Sequence, residues 1–341
     1  MRAVRLVDVR QMEYVEVPIP QPPAGWVRIK VMAVGLCGSD QHAFSGEHPF
    51  VKPPIILGHE VGGVVDAVGE NVSSVQVGQH VTFEPQVPCW HCTNCLQGRY
   101  NICDNLRVIG CVGYDGGYAD YVVVPERSVF PVPEDWTFGR AAMLEPAAVA
   151  VHAVDVGQIR PGTRVIVIGG GTVGLLVAQV AKCAGASHLV VIEPMESRAS
   201  FAEEMGVGFV ISDVGEPATK KALSVLGSGR FDVVFDCVAN EMTLSQSLEL
   251  VNKGGRIVVV GVPAGVVATN FAYIQDREIQ VAGTLMYTRT DFIRTARMIE
   301  RHQIDVDRLV THRFPLSEAY RAFEAASRGV GVMKVQLIPM P

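Results

Sequence analysis

Apolar residues follow two different rhythms along this chain, and the rhythm changes near residue 150. Before that point, short apolar runs alternate with polar positions: Val27-Arg28-Ile29-Lys30-Val31, the run 61–68, and Val81-Thr82-Phe83. Gly and Pro interrupt them at close intervals, as in Pro22-Pro23-Ala24-Gly25. A period of two with frequent turn residues predicts short strands in an irregular β domain. Beyond residue 150, strand-like runs at 164–168, 189–192, 231–237 and 256–260 alternate with helical stretches at 172–184, 196–205 and 243–252. That alternation predicts a parallel sheet with helices on both faces. From about residue 290 a helix is marked by Phe292, Met298 and Ile299 at helical intervals. The mixed texture of the start then returns. The chain therefore reads as two domains, 1–152 with 290–341, and 153–289 between them.

The 341 residues suit two domains of ordinary size. Hydrophobic residues make up 48%, enough for a core in each, and charged residues only 19%, which argues against long disordered tails. The formal net charge is −6 and no Lys/Arg run occurs. That balance disfavours nucleic acid and anionic membrane surfaces, both of which select basic patches. The stretch 165–181 carries no charge. It is short for a membrane span and holds three consecutive glycines, so it reads as a buried strand, a turn and a buried helix. The opening residues Met1-Arg2-Ala3-Val4-Arg5-Leu6 show no apolar export segment. The expectation is a soluble, cytoplasmic protein.

Four of the eight cysteines change this picture most. Cys89, Cys92, Cys95 and Cys103 follow the spacing C-x2-C-x2-C-x7-C. Four thiolates this close can surround one zinc ion and leave no open position. Disulfides are the rival reading, and a reducing compartment disfavours them. The loop of about 85–104 would owe its order to the metal, and His91 inside it is a rival ligand. A zinc-closed lobe predicts a structural defect, rather than a chemical one, when a cysteine is lost.

Gly169-Gly170-Gly171-Thr172-Val173-Gly174 satisfies G-x-G-x-x-G between a predicted strand and a predicted helix. There Gly169 serves the tight turn, Gly171 the approach of a pyrophosphate to the helix N-terminus, and Gly174 the packing of helix on strand. Glu193 follows the end of the next strand at Ile192, roughly 20 residues on, where an acid accepts ribose hydroxyls and repels a 2′-phosphate. NAD is therefore preferred to NADP. Arg198 either packs over the adenine or faces water.

A further set of donors lies apart: Cys37, His59, Glu60 and Glu145. One thiolate, one imidazole and one carboxylate suffice for a zinc site with room for substrate. Taken singly, each is a common structural residue. Cys183 and Cys237 fall on apolar stretches and read as core, His48 flanks a turn and reads as solvated, and Cys111 fits neither set.

The ordered set Gly35-Leu36-Cys37-Gly38-Ser39-Asp40, Gly58-His59-Glu60, the four-cysteine lobe, Glu145-Pro146 and the glycine turn resembles the zinc-containing medium-chain dehydrogenase/reductase superfamily. It is most similar to the polyol (sorbitol) dehydrogenase branch, through Cys37-Gly38-Ser39-Asp40, Leu144-Glu145-Pro146 and Val310-Thr311-His312-Arg313-Phe314-Pro315-Leu316. The resemblance implies an α/β protein with a GroES-like catalytic domain and a Rossmann doubly wound parallel-sheet domain. It implies two zinc ions per chain, bound NAD, and a homo-oligomer, tetramer or dimer. By the same resemblance Cys37 and His59 are catalytic zinc ligands, with Glu60 and Glu145 binding directly or through water. Ser39 takes the substrate proton and His42 passes it on. Thr172 and Val173 join the glycines at the cofactor. Two positions depart from the sorbitol enzymes: Met286 stands where they carry arginine, before Tyr287, and Ala43 rather than tyrosine follows His42. Both changes remove polar reach and separate the substrate from sorbitol itself.

The implied reaction is reversible hydride transfer between NAD and a secondary alcohol of a polyol or sugar-derived substrate. Sugar acids, aminocyclitols, short diols and L-threonine are the near alternatives. A zinc-stabilised dinucleotide-binding protein without turnover is the alternative of another class, and zinc content separates the two.

Overall fold

The strand Trp26–Leu36 organises the first half of the protein. Val27, Ile29 and Val31 point into the core while Arg28 and Lys30 do not, and from Ala33 almost every residue is buried. The strand changes from one covered face to two along its length. In the computed structural model, which describes residues 1–263 and 265–339, its first part pairs with Tyr121–Pro125 and its last part with Lys334–Ile338. Its other edge pairs with Glu60–Val68. The sheet runs Val129–Pro131, His80–Phe83, Glu60–Val68, Trp26–Leu36, Lys334–Ile338, Val310–Pro315. The C-terminal chain thus supplies two strands to this sheet, a parallel pair joined through helix Ala319–Arg328. Residues 340 and 341, the end of the expected 290–341 segment, lie outside the described residues.

The second half contains six parallel strands in the order Phe209–Ile211, His188–Ile192, Arg164–Ile168, Phe231–Asp236, Val251–Val259, Gln280–Gly283. Counted along the chain this is the order 3-2-1-4-5-6 of a Rossmann sheet, with its switch point beside Arg164–Ile168. Val165, Ile166 and Val167 in that first strand are fully buried, as a sheet covered on both faces requires. The uncharged stretch 165–181 divides into this strand, a glycine turn and helix Thr172–Cys183. No helix among the described residues is long and apolar enough to cross a membrane.

Two compact units result, Met1–Glu145 with Val306–Pro341, and Pro146–Asp305. The joints differ from the expected 152/153 and 289/290. The first falls inside helix Phe138–Gly157, at Pro146, a few residues before the expected joint, because the helix runs through it unbroken. The second lies later because helix Arg289–Glu300 is fastened to the second unit. Asp291 caps that helix through the Thr288 N–H and also holds Nδ1 of His152 at 3.0 Å. Arg294 pairs with Asp155.

Candidate functional site

Cys37 follows the central strand and caps helix Gly38–Ser45. The third residue of that helix, Asp40, turns its carboxylate back to the Cys37 N–H at 2.9 Å. Tyr118 donates its hydroxyl to the same oxygen at 2.8 Å. The other Asp40 oxygen stands 3.7 Å from Nδ1 of His59. Burial pushes the Asp40 carboxyl up, while His59, the Cys37 N–H and Tyr118 oppose the shift. Burial and the Asp40 charge also hold the Tyr118 phenol well above its ordinary range, so it stays a donor.

Glu60 opens the neighbouring strand and is fully buried. It lies across Gly35: a Cβ on Gly35 would sit 1.8 Å from Glu60 Oε2. Across that gap Lys334 Nζ donates to both Glu60 oxygens, at 2.7 and 2.8 Å, and to the Leu36 carbonyl at 3.2 Å. Burial lowers the Lys334 pKa, but Glu60, Cys37 and Glu145 outweigh it and raise it overall. Gly35→Ala is expected to displace Glu60, at about 1–3 kcal/mol for overpacking, and to reduce zinc at this cluster. Thermal unfolding and metal analysis check this; a full zinc complement with an unchanged midpoint would mean that Glu60 needs no such gap.

Donor atoms of Cys37, His59 and Glu60 lie within 4.8 Å of one another. Buried Nδ1 of His59 has no hydrogen-bond partner among the described residues. Burial acts to lower the His59 pKa, but Asp40, then Cys37 and Glu145, raise it well above the ordinary range. Such an excess of anionic groups favours a bound cation, and the thiol–imidazole–carboxylate set suits zinc. Glu145 is buried on helix Phe138–Gly157. It stands outside the group of three, yet its charge acts on both His59 and Lys334. Ser39 and His42 sit half-buried three residues apart on helix Gly38–Ser45, a spacing that puts them on one face.

The four cysteines form a second cluster, again with all donor atoms within 4.8 Å. Cys92 caps the short helix Thr93–Leu96, and Cys103 follows the turn Tyr100–Ile102. Cys103 Sγ accepts the Cys89 and Asn105 N–H groups at 3.2 and 3.3 Å. The His91 backbone N–H, more than any other group, brings the Cys89 thiol down to about 6. Burial, then Cys92 and Cys103, push Cys95 up to about 12. A cation lets all four ionise together, so this set fits zinc. His91 contributes its backbone, and its side chain is exposed. Trp90 packs on Tyr100 at 5.0 Å under the Arg127 guanidinium at 4.5 Å.

In the second unit, Gly169 has φ +96° and a Cβ on Gly174 would lie 1.8 Å from the Gly169 carbonyl, so the turn and the packing both require glycine. Apart from its chain neighbours, no atom of the described residues lies within 4 Å of where a Gly171 Cβ would be, which leaves that approach clear for a phosphate. Thr172 and Val173 begin the helix. Glu193 is buried rather than an ordinary solvated strand end. Its oxygens accept the Gly170 and Met195 N–H groups, both at 2.9 Å. Arg198 is half-buried on helix Glu196–Glu204.

No motif marks Lys334 or Tyr118, and Asp40 lies in the Gly35–Asp40 motif without a role read for it; a lysine within Val332–Ile338 is itself a signal, since buried lysine requires a partner. His48 is half-buried, not solvated, and contacts Cys111. Cys183 is exposed rather than core and donates to the Gln303 carbonyl at 3.3 Å.

Two family patterns match the chain: an alcohol dehydrogenase GroES-like domain over residues 23–134 and a zinc-binding dehydrogenase domain over 172–301. L-threonine 3-dehydrogenase of Bacillus subtilis is 36% identical, covering 95% of this chain and 94% of its own. Sorbitol dehydrogenase of the same organism is 31% identical, covering 96% and 93%. A zinc-binding dehydrogenase structure from Sinorhizobium meliloti 1021, bound to NADP, is 34% identical with a TM-score of 0.89 and covers 99% of both chains.

Proposed function

Because the chain belongs to the zinc-containing medium-chain dehydrogenase/reductase superfamily, on its polyol dehydrogenase-like side, we propose that it oxidises the secondary alcohol of a polyol or sugar-derived substrate reversibly with NAD. Zinc and a nicotinamide dinucleotide are the cofactors of this family of alcohol dehydrogenases. The carrying observation is the Cys37–His59–Glu60 cluster beside the helix that presents Ser39 and His42.

Cys37 and His59, with Glu60 and Glu145, would hold the catalytic zinc; Cys89, Cys92, Cys95 and Cys103 would hold the structural one. When bound, the catalytic ion supplies Lewis acidity that loosens an alcohol proton, and the nicotinamide takes the hydride. The protein's part is to manage the proton and the orientation. Ser39 accepts the hydroxyl proton, since its Oγ both donates and accepts. His42 takes it on, since one imidazole nitrogen can accept a proton while the other donates one. Asp40, fixed by Tyr118 and the Cys37 N–H, sets its charge 3.7 Å from Nδ1 of His59 and acts on the ring electrostatically. Lys334 restrains Glu60 and balances part of the local negative charge.

Glu193 supports NAD. Its buried carboxylate, pinned beside the glycine turn, would meet a 2′-phosphate with like charge. The test is a reduction screen of NAD and NADP over polyols, aldonates, cyclitols, diols and L-threonine, with zinc counted per chain. Expected are turnover with a polyol or sugar-derived alcohol, two zinc ions, and an NAD preference of about tenfold or more, the equivalent of one modest repulsion. Turnover with NADP alone would overturn the Glu193 argument. One zinc and no turnover would fit a protein that only binds the dinucleotide.

A further inference from the structure

His48 and Cys111 lie in the first unit near the metal cluster, and the reaction outlined above uses neither. Gly110 is pressed on Gly58, so tightly that a Gly110 Cβ would lie 2.2 Å from the Gly58 carbonyl. That contact brings the next residue on each side, Cys111 and His59, into one neighbourhood. Cys111 feels the charges of His59, Asp40 and Cys37. The His48 N–H donates to the His42 carbonyl at 3.0 Å, which sets the imidazole beside the helix of Ser39 and His42.

The hydrogen bonds of His48 fix its tautomer. Nδ1 accepts the Phe50 and Val51 N–H groups, both at 3.2 Å. The ring proton therefore sits on Nε2. Nε2 faces Cys111 Sγ at 3.7 Å. Burial pushes the Cys111 thiol up to about 11, so the sulfur is neutral and a weak acceptor. His48 thus carries a donor of fixed direction whose present partner is poor. A donor in that state gains by exchanging sulfur for oxygen.

We propose that His48 Nε2–H is a specificity determinant, donating to a second oxygen of the substrate beside the reacting carbon, with Cys111 as the partner it leaves. The ligand class is an alcohol with a vicinal hydroxyl or carboxylate oxygen. This rests on the secondary-alcohol reading given above and adds what the substrate must carry.

The test compares 2,3-butanediol with 2-butanol, a pair that differs by one vicinal hydroxyl, using zinc-loaded enzyme and NAD. In His48→Asn the amide oxygen can still accept from the Phe50 and Val51 N–H groups while Nε2–H is gone. The ratio of kcat/KM for diol over mono-alcohol is expected to fall about tenfold, as for one lost hydrogen bond to substrate. Cys111→Ala, which leaves the donor in place, should keep the ratio. An unchanged ratio in His48→Asn, or a collapsed ratio in Cys111→Ala, overturns the assignment while leaving the dehydrogenase reading intact. Failure of the unsubstituted enzyme to oxidise any alcohol in the screen overturns both.

Discussion

Lys334→Met is expected to destabilise the protein by about 3–5 kcal/mol, the usual result of removing one partner of a buried ion pair. Lys334 and Glu60 side chains are 5% and 1% exposed. Methionine fills the volume but, in metal-free protein, leaves Glu60 with no counter-ion in a region already rich in negative charge. The pair need not be strongly stabilising in itself; the cost comes from stranding a carboxylate away from water. Urea unfolding of the metal-free protein measures it. Adding Glu60→Gln should recover much of the loss. Lys334→Met with normal stability would mean that Glu60 has another way to be neutralised. The pH dependence has a definite sign. The Lys334 pKa is raised in the fold. Its stabilisation is therefore fully present below the unfolded value of about 10.4 and is lost as pH rises through the folded value. The variant should lack that alkaline loss.

Cys103→Ser is expected to remove about one zinc ion per chain and to unfold the segment around 85–104, since a closed four-sulfur shell tolerates no weak member. Cys103 also accepts two backbone N–H groups, so both the metal and the loop turn depend on its sulfur. Limited proteolysis should cut within the lobe, and the thermal midpoint should fall. Turnover per remaining zinc at the Cys37 cluster should stay within about twofold, because a closed shell offers substrate no position. A catalytic loss without added protease sensitivity would contradict a structural role.

What could be read in advance depended on distance along the chain. The glycine turn and the cysteine lobe are short segments whose spacing alone carries their chemistry. Four strands of the parallel sheet were legible because strands and helices alternate in order, whereas the short edge strands Phe209–Ile211 and Gln280–Gly283 were not read. The Lys334–Glu60 pair joins residues 274 positions apart, and no periodicity encodes such a contact. Gly35 is informative only once Glu60 is seen lying across it. The first unit boundary is read a few residues late because helix Phe138–Gly157 runs through it unbroken. His48 and Cys111 look unremarkable until Gly110 and Gly58 meet.

If the NAD reading proposed above holds, Glu193 constrains anyone who would re-engineer this enzyme for NADP. Its negative charge and its two hydrogen bonds reside in the same pair of oxygens. Truncating it to admit a phosphate would also release the Gly170 and Met195 N–H groups that set the rim of the turn. A successful redesign must therefore supply two acceptors from elsewhere before it removes one charge.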